Sequence, residues 1–244
     1  MPFTMAPPAH ASLLTLEPLS QEAFSQFGSV ISNPAPHITP NATLSQLPPG
    51  AVPANQGSAH KYPDITSLVN LYISAPSGAA SWAAMSMFVC APRVLQQSSQ
   101  AQDGSSSRRF PVAILERHPF TSQTFIPLGL SANGPSPTRY LVIVAPSLDR
   151  AAGGADAASP EARRVGQNLP DLARMRAFVA TGAQGVTYGP GTWHAPMVVV
   201  GHDAVSFVVA QYVNGVAEED CQEVAWDGSA ADALIRVAVP DVGA

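Results

Sequence analysis

The chain has 244 residues, 46% of them hydrophobic, which allows one large globular domain or two small ones. Its formal net charge of −5, without a lysine- or arginine-rich block, excludes a basic surface for binding nucleic acid. No run reaches the ~18 apolar residues needed to span a membrane, and the amino terminus lacks a secretory pattern, so we expect a cytoplasmic protein.

The predicted elements are mainly short β-strands joined by turns. Charged residues make up only 12% of the chain, whereas there are 24 prolines and 18 glycines, a composition that suits strands and turns better than long solvated helices. One helix is predicted near the start, with Ser20 as its N-cap and Gly28 at its end. The pattern is typical of a β-sandwich or a small barrel. Strands are predicted, in chain order, at 12–17, 67–74, 81–90, 112–118, 124–128, 139–145, 175–179, 197–200 and 205–212.

Three stretches interrupt this pattern and are predicted to be loops or insertions in a single domain that spans 1–244. The first, 33–57, contains six prolines and little periodicity. The second, 96–109, is polar and low in complexity, which favours a flexible surface loop. The third, 146–168, is rich in alanine, glycine and charged residues, and we expect an exposed excursion there.

Two segments combine a histidine with rigid proline and glycine turns. The first, at 115–129, is LERHPFTSQTFIPLG, and the second, at 185–196, is GVTYGPGTWHAP. Glu116, His118 and Gln123 lie near the ligand positions of the first cupin motif, and strand alternation turns Glu116 and His118 to one face. His194 follows its glycines with nearly the spacing of the second cupin motif. We therefore predict that the two segments converge in a pocket at the mouth of a barrel.

These residues allow two kinds of chemistry. His118 and His194 can bind a metal ion, with Glu116 and Gln123 as weaker oxygen ligands in place of the histidine and glutamate of the usual pattern. Histidine also has an unperturbed pKa of about 6.5, which suits acid–base catalysis without a metal. The sequence leaves both alternatives open.

Five stretches, in this order and including both of these histidine segments, resemble the ureidoglycolate lyase family. They are LSQEAFSQFGSVI, NQGSAHKYPDI, LERHPFTSQTFIPLG, PDLARMRAFVATGAQGVTYGPGTWHAPM and DCQEV. The resemblance implies a mainly β, cupin-like antiparallel barrel (a double-stranded β-helix or jelly roll) with a few short helices. It also implies a homodimer, a divalent metal, which is nickel by family attribution, and a place in allantoin degradation within purine metabolism.

The activity that the resemblance implies is the cleavage of ureidoglycolate into glyoxylate and urea. This elimination needs a base for the substrate hydroxyl proton and an acid for the departing urea nitrogen. We predict His194 as the base and His118 as the acid or a metal ligand. Tyr188 is either a further proton donor or a buried core residue.

The carboxylate of so small a substrate needs a cation or a turn rich in backbone amides. Lys61 and Arg93 are the candidate cations, and Asn55 can add a polar contact from the same loop as Lys61. Gln123 can donate a hydrogen bond to the urea carbonyl. Family members often carry an arginine at the position of Val89; if that arginine binds the carboxylate in relatives, another group must do so here.

Two other functions remain open on the sequence alone. A ureidoglycolate amidohydrolase would release ammonia and carbon dioxide in place of intact urea. A non-catalytic cupin would bind a small organic acid and need no pair of proton-transfer groups. The presence of both His118 and His194 favours an enzyme.

Overall fold

Short β-strands make up most of the structure, a computed structural model that describes residues 3–5, 12–41, 47–97, 108–131, 138–148, 168–226 and 235–240. Two four-residue helices accompany them, α1 (Gln21–Phe24) and α2 (Ala217–Asp220). The strands are β1 (Phe3–Met5), β2 (Ser12–Pro18), β3 (Gly28–Ser32), β4 (Val52–Ala54), β5 (Ala59–Lys61), β6 (Trp82–Cys90), β7 (Gln96–Gln97), β8 (Arg108–Val112), β9 (Ile114–Arg117), β10 (Gln123–Leu128), β11 (Arg139–Ala145), β12 (Arg176–Ala180), β13 (Gln184–Tyr188), β14 (Trp193–His194), β15 (Val198–Val200), β16 (Val205–Val213), β17 (Gln222–Trp226) and β18 (Ile235–Val239).

These strands form a larger and a smaller sheet that curl into a half-barrel. Within the described residues, the larger sheet has the order β1-β17-β9-β14-β11-β12-β2-β18-β8-β7, with β15 also paired to β11. The smaller sheet has the order β3-β13-β10-β16-β6, and β4 pairs with β5 in a separate ribbon. Most pairs are antiparallel, but β2 runs parallel to both β12 and β18, and β1 runs parallel to β17. The mainly β, cupin-like fold predicted from the sequence is confirmed.

Strand β11 is buried on both faces and separates two hydrophobic cores. Its residues Tyr140, Val142 and Val144 face an inner core, which lies between the two sheets and includes Phe125, Val186 and Phe207 of the smaller sheet. The alternate residues of β11 face an outer core on the other side of the larger sheet, formed by Leu141, Ile143, Ala145, Val112, Leu115, Trp193, Val224 and Val237. A strand covered on both faces needs apolar residues at every position, which explains the unbroken run YLVIVA.

Strand β11 has the predicted bounds, whereas the strand predicted at 67–74 is wrong. In that segment Asn70 makes only an isolated bridge to Thr121, and Tyr72–Ser74 forms a turn of 3₁₀ helix. The Asn70 side chain accepts a hydrogen bond from the backbone N–H of Tyr72, and the Ser74 hydroxyl donates to the carbonyl of Leu71. These local bonds compete with strand pairing. The strand predicted at 112–118 is likewise divided, into β8 and β9.

Helix α1 begins as predicted but is shorter. The Ser20 side chain accepts a hydrogen bond from the backbone N–H of Ala23, which is the expected N-cap interaction. The chain then turns so that Gly28, with φ +148°, can begin β3. A Cβ at Gly28 would lie 1.9 Å from the carbonyl oxygen of Thr187 in the neighbouring strand, so this close approach requires glycine.

The predicted loops are described only in part. The stretch 33–57 contains β4 and a 3₁₀ turn at Asn55–Gly57, so its second half is regular. The ends of 96–109 pair as β7 and β8, while its centre at 98–107 lies outside the described residues, as does 149–167. The single domain over 1–244 stays a prediction. Among the described residues, no helix is both long and apolar enough to cross a membrane.

Candidate active site

The predicted site residues Glu116, His118, Gln123, Tyr188 and His194 lie together, where the inner face of the larger sheet meets the smaller sheet. Glu116 of β9 is directly opposite His194 of β14. Gln123 of β10 is directly opposite Tyr188 of β13 in the smaller sheet. The two predicted segments therefore converge, each contributing to both sheets.

Strand alternation fixes the direction in which the ligand side chains point. His194 is paired with Val144, whose side chain belongs to the inner core, while the preceding Trp193 belongs to the outer core. In β9, Arg117 also turns away from the site, and its guanidinium carbon lies 4.8 Å from the ring centroid of Trp193. Each strand thus carries one site residue and, next to it, one anchor in the opposite core.

The two histidines are held in the same tautomer by backbone carbonyls. Nδ1 of His118 lies 2.6 Å from the carbonyl oxygen of Asp220, and Nδ1 of His194 lies 3.1 Å from that of Thr192. A carbonyl oxygen can only accept, so Nδ1 carries the proton in both rings. Nε2 of His118, whose ring is neutral, is then a lone pair available to the site, and Nε2 of His194 also faces the site. Both rings are deeply buried, with 6% of His118 and 1% of His194 exposed.

The Nε2 atoms of the two histidines lie close to the side-chain oxygens of Gln123 and Glu116. Nε2 of His194 lies 3.1 Å from Oε1 of Gln123 and 3.4 Å from Oε1 of Glu116. One ligand atom each of Glu116, His118 and His194 lies within 4.8 Å of the other two. Nε2 of His118 is buried without a hydrogen-bond partner. Acceptors that face one another without a donor repel, so this arrangement requires a proton or a cation between them.

The protein environment lowers the pKa values of two site residues, His118 and Glu116. Burial, and secondarily the neighbouring His194, lowers the pKa of His118 to about 4, so the ring is neutral at pH 7. Burial alone would raise the pKa of Glu116, but the hydrogen bond with His194 outweighs burial and brings the pKa below its ordinary value. The cluster therefore combines the neutral imidazole of His118 with a carboxylate, and both are in the state in which they can bind a metal.

Tyr188 forms one wall of the site. Its ring stacks on that of His194 with 3.9 Å between centroids and 10° between planes. Burial raises its pKa well above the ordinary value, and the charge of Glu116 adds to the effect. The hydroxyl therefore keeps its proton, and Tyr188 is a packed aromatic residue next to the site; its role as a proton donor stays a prediction.

The structure adds two residues that the sequence analysis did not assign. Glu223 of β17 is directly opposite Glu116, and Cys221 lies two residues before it on the same face. One atom each of Glu116, Cys221 and Glu223 lies within 4.8 Å of the other two. Burial, together with the surrounding carboxylates, raises the pKa of the Cys221 thiol to about 12. Both belong to the DCQEV stretch, which contributed to the family resemblance. Nothing in the sequence indicated which other segment this stretch would contact.

Lys61, Asn55 and Arg93 lie elsewhere in the described part of the chain. Lys61 and Asn55 are exposed on the β4–β5 ribbon, where Asn55 has φ +48° and its carbonyl accepts hydrogen bonds from Ser58. The guanidinium of Arg93 lies 5.5 Å from the ring centroid of Phe110, which belongs to the outer core. No hydrogen bond or ion pair between described residues joins these three to the histidine cluster. Their role in binding the substrate carboxylate stays a prediction.

Curled sheets with imidazole, carboxylate and amide groups converging between them define a cupin-like β protein with the side chains of an enzyme site. The family follows from a comparison with known sequences, in which the family profile described as ureidoglycolate lyase matches residues 11–231. The chain belongs to the ureidoglycolate lyase family.

Several relatives named ureidoglycolate lyase align with most of the chain. That of Schizosaccharomyces pombe is 34% identical over 212 residues, which is 87% of this chain and 91% of the relative. That of Saccharomyces cerevisiae is 31% identical and covers 85% of this chain and 91% of its own. That of Burkholderia cepacia is 32% identical and covers 87% and 85% respectively. The match therefore extends over whole proteins, beyond the histidine segments.

Proposed function

We propose that this protein cleaves ureidoglycolate into glyoxylate and urea. The observation that carries the proposal is the convergence of Glu116, His118, Gln123 and His194 in a chain that matches the ureidoglycolate lyase family over 11–231. A purely structural site would not need two buried imidazoles grouped with a carboxylate. An enzyme that eliminates a leaving group from a small hydroxy acid does need such groups.

We propose further that Glu116, His118 and His194 bind a divalent metal. A single proton on His194 would satisfy Gln123 and Glu116 but would leave the buried Nε2 of His118 without a partner. One cation among the three ligand atoms satisfies all of them. Nickel is the ion that the family resemblance implies. When bound, the metal supplies a Lewis acid that polarises the substrate oxygens.

The other polar residues of the site would then transfer the proton and bind the urea group. If Glu116, His118 and His194 hold the metal, the neighbouring carboxylate that remains to accept the substrate hydroxyl proton is Glu223, opposite Glu116, in place of the His194 predicted from the sequence. Loss of this proton to Glu223 lets the carbonyl of glyoxylate form as the C–N bond breaks, and protonated Glu223 returns the proton to the departing urea nitrogen. Gln123, whose amide N–H donates to Gln211 over 2.7 Å, lies next to His194 and would hydrogen-bond the urea group.

The test is incubation of the purified protein with racemic ureidoglycolate, with glyoxylate, urea and ammonia assayed together. We expect equimolar glyoxylate and urea. Release of ammonia without urea, from protein free of contaminating urease and amidohydrolase, would refute the lyase assignment. Metal analysis of the same protein as purified, and activity after chelation and re-addition of Ni²⁺, test the metal proposal separately.

We also propose a homodimer formed through an apolar patch on the smaller sheet, defined as Met85, Met87, Val89, Ile126 and Leu128. Met87, Val208 and Ile126 are aligned across three neighbouring strands, as are Val89, Ser206 and Leu128. Met85 is 78% and Val89 69% exposed, and β6 is an edge strand in the described residues. A contiguous exposed apolar sheet face without charged residues fits a second copy of itself about a two-fold axis. A cytoplasmic location stays a prediction from the sequence, and a place in allantoin degradation stays a prediction from the resemblance.

A further inference from the structure

The segment 214–221 provides the carbonyl oxygen that fixes the tautomer of His118. Its last turn is α2, and the carbonyl of Asp220 accepts the Nδ1–H bond of His118 over 2.6 Å. This bond leaves Nε2 of His118 as the atom facing the site. A carbonyl orients a ring only if the carbonyl itself is fixed, so the bonds that hold Asp220 matter for the site.

The side chain of Asp220 closes the turn that carries this carbonyl. Its carboxylate accepts hydrogen bonds from the backbone N–H groups of Asn214 and Gly215, over 2.8 and 2.9 Å. A third bond comes from the hydroxyl of Tyr72 over 2.6 Å. Tyr72 lies 148 residues away in sequence, in the 3₁₀ turn Tyr72–Ser74, so this bond ties the segment to a separate part of the fold.

Tyr72 is suited to act as a permanent donor. Its side chain is buried, with 3% of the residue exposed. Burial raises its pKa, and the hydrogen bond to Asp220 raises it further, so the hydroxyl keeps its proton throughout the working range. The bond to the Asp220 carboxylate is charge-assisted, which makes it stronger than a bond between neutral groups.

We propose that Asp220 and Tyr72 are positioning residues that hold His118 in its Nδ1–H tautomer, with Nε2 presented to Glu116 and His194. Neither residue touches the substrate in this role. The proposal rests on the proposed site for its functional meaning, but the tautomer of His118 is a property of the protein without metal or substrate.

The neighbouring Glu219 provides a matched control. It lies in the same helix, and its carboxylate also accepts three hydrogen bonds, from the backbone N–H and hydroxyl of Ser77 and from the side chain of Asn214. Its bonds anchor the segment, but its carbonyl is not the partner of His118. A general loss of anchoring therefore appears in Glu219→Gln, whereas a specific loss of His118 orientation appears only in variants of Asp220 and Tyr72.

The first measurement is the histidine ¹⁵N NMR spectrum of metal-free protein at pH 7, with the signals of His118 assigned by comparison with His118→Gln. We expect the Nδ1–H tautomer in the wild type and in Glu219→Gln. Asp220→Asn places an amide donor against a backbone N–H, so we expect a mixture of tautomers. Tyr72→Phe removes one of the three bonds and should show a smaller shift in the same direction; it decides the matter if Asp220→Asn does not fold.

The second measurement is titration with Co²⁺ as a spectroscopic probe. Loss of an outer-shell partner typically weakens metal binding about 10- to 100-fold, so we expect at least about a tenfold weaker affinity in Asp220→Asn and wild-type affinity in Glu219→Gln. A wild-type tautomer and affinity in both Asp220→Asn and Tyr72→Phe would overturn the proposal. So would an equal loss in Glu219→Gln. If the wild type binds no Co²⁺, the metal proposal fails and the NMR result alone decides this one.

Discussion

Two carbonyl oxygens and one amide determine which atoms the site presents. The carbonyls of Asp220 and Thr192 take the Nδ1–H groups of His118 and His194, so both rings turn Nε2 inwards. Gln123 donates its amide N–H to Gln211, which leaves its Oε1 facing His194. These three partners are neutral backbone carbonyl and side-chain amide groups.

We predict that His118→Gln and His194→Gln each lower kcat by at least about a hundredfold, which is the lower range for loss of a positioned acid, base or metal ligand. The fold should survive because glutamine can still hydrogen-bond within the cluster. Turnover and thermal melting, measured side by side, separate the two effects. The control is His202→Gln at an exposed position, which should leave both unchanged. Near-normal turnover in either site variant would contradict its role.

We predict that Glu223→Gln lowers kcat by about a hundredfold or more while the protein still binds metal. The amide keeps the size of the side chain but cannot accept the hydroxyl proton. The matched control is Glu218→Gln, an exposed carboxylate in α2, which should keep full activity. If Glu223→Gln is fully active, the proton is accepted by another group.

At the scale of elements, the sequence predicts strands best where packing alone decides. The sequences of β11 and β16 are long, mainly apolar runs, and their predicted bounds agree with the structure to within one residue. β13 and β14 contain or adjoin glycine and proline, so local propensity gave no strand there, although pairing with distant strands forms one.

The same distinction explains how much of the site was predictable. His118, Glu116 and His194 belong to two segments with recognisable spacing, and the structure brings them together. Glu223 and Cys221 reach the site only because β17 pairs with β9, which lies about 100 residues earlier in the chain. Register between distant strands is set by tertiary packing, and a single sequence does not encode it in a readable pattern. Lys61 and Arg93 were predicted at the site from their charge, but the charge of a residue does not indicate where the fold places it.

We predict that Met87→Lys converts the proposed dimer into a monomer. Met87 lies at the centre of the apolar patch, half exposed, and a lysine there would bury an unpaired charge in the interface. Mass measured by light scattering during size-exclusion chromatography provides the test. Leu13→Lys is the control, because Leu13 is equally exposed but lies on β2 in the larger sheet. A monomeric wild type, or a dimer that tolerates Met87→Lys, would rule out this interface.

The stability of the whole folded protein depends on pH through His118, because its buried imidazole is neutral in the native state. His118 has its pKa lowered from 6.5 to about 4 by burial, so the unfolded chain takes up a proton there at a higher pH than the native protein does. Stability from this group is therefore fully present above pH 6.5 and is lost as the pH falls towards 4. Acid acts first on the interior of the site, before most carboxylates titrate.

We predict that metal-free protein loses about 2 kcal/mol of unfolding free energy between pH 7 and pH 5 through His118 alone, which follows from the shift and proton linkage. Urea unfolding at the two pH values measures the loss, and His118→Gln should remove this part of it. An identical pH dependence in wild type and variant would show that His118 is not buried in the neutral form.

The adjacency of Glu116 to Arg117, and of Trp193 to His194, has a consequence for the choice of ion. Arg117 and Trp193 contact each other on the face of the sheet opposite the site, and this contact restrains Glu116 and His194 from moving apart. A rigid set of ligands discriminates between ions by radius, since a large ion forces the ligands outward at an elastic cost. For the metal site proposed above, we therefore expect competition titration to show a stronger preference for Ni²⁺ over the larger Cd²⁺ than ligand chemistry alone would give, and Trp193→Leu to weaken that preference.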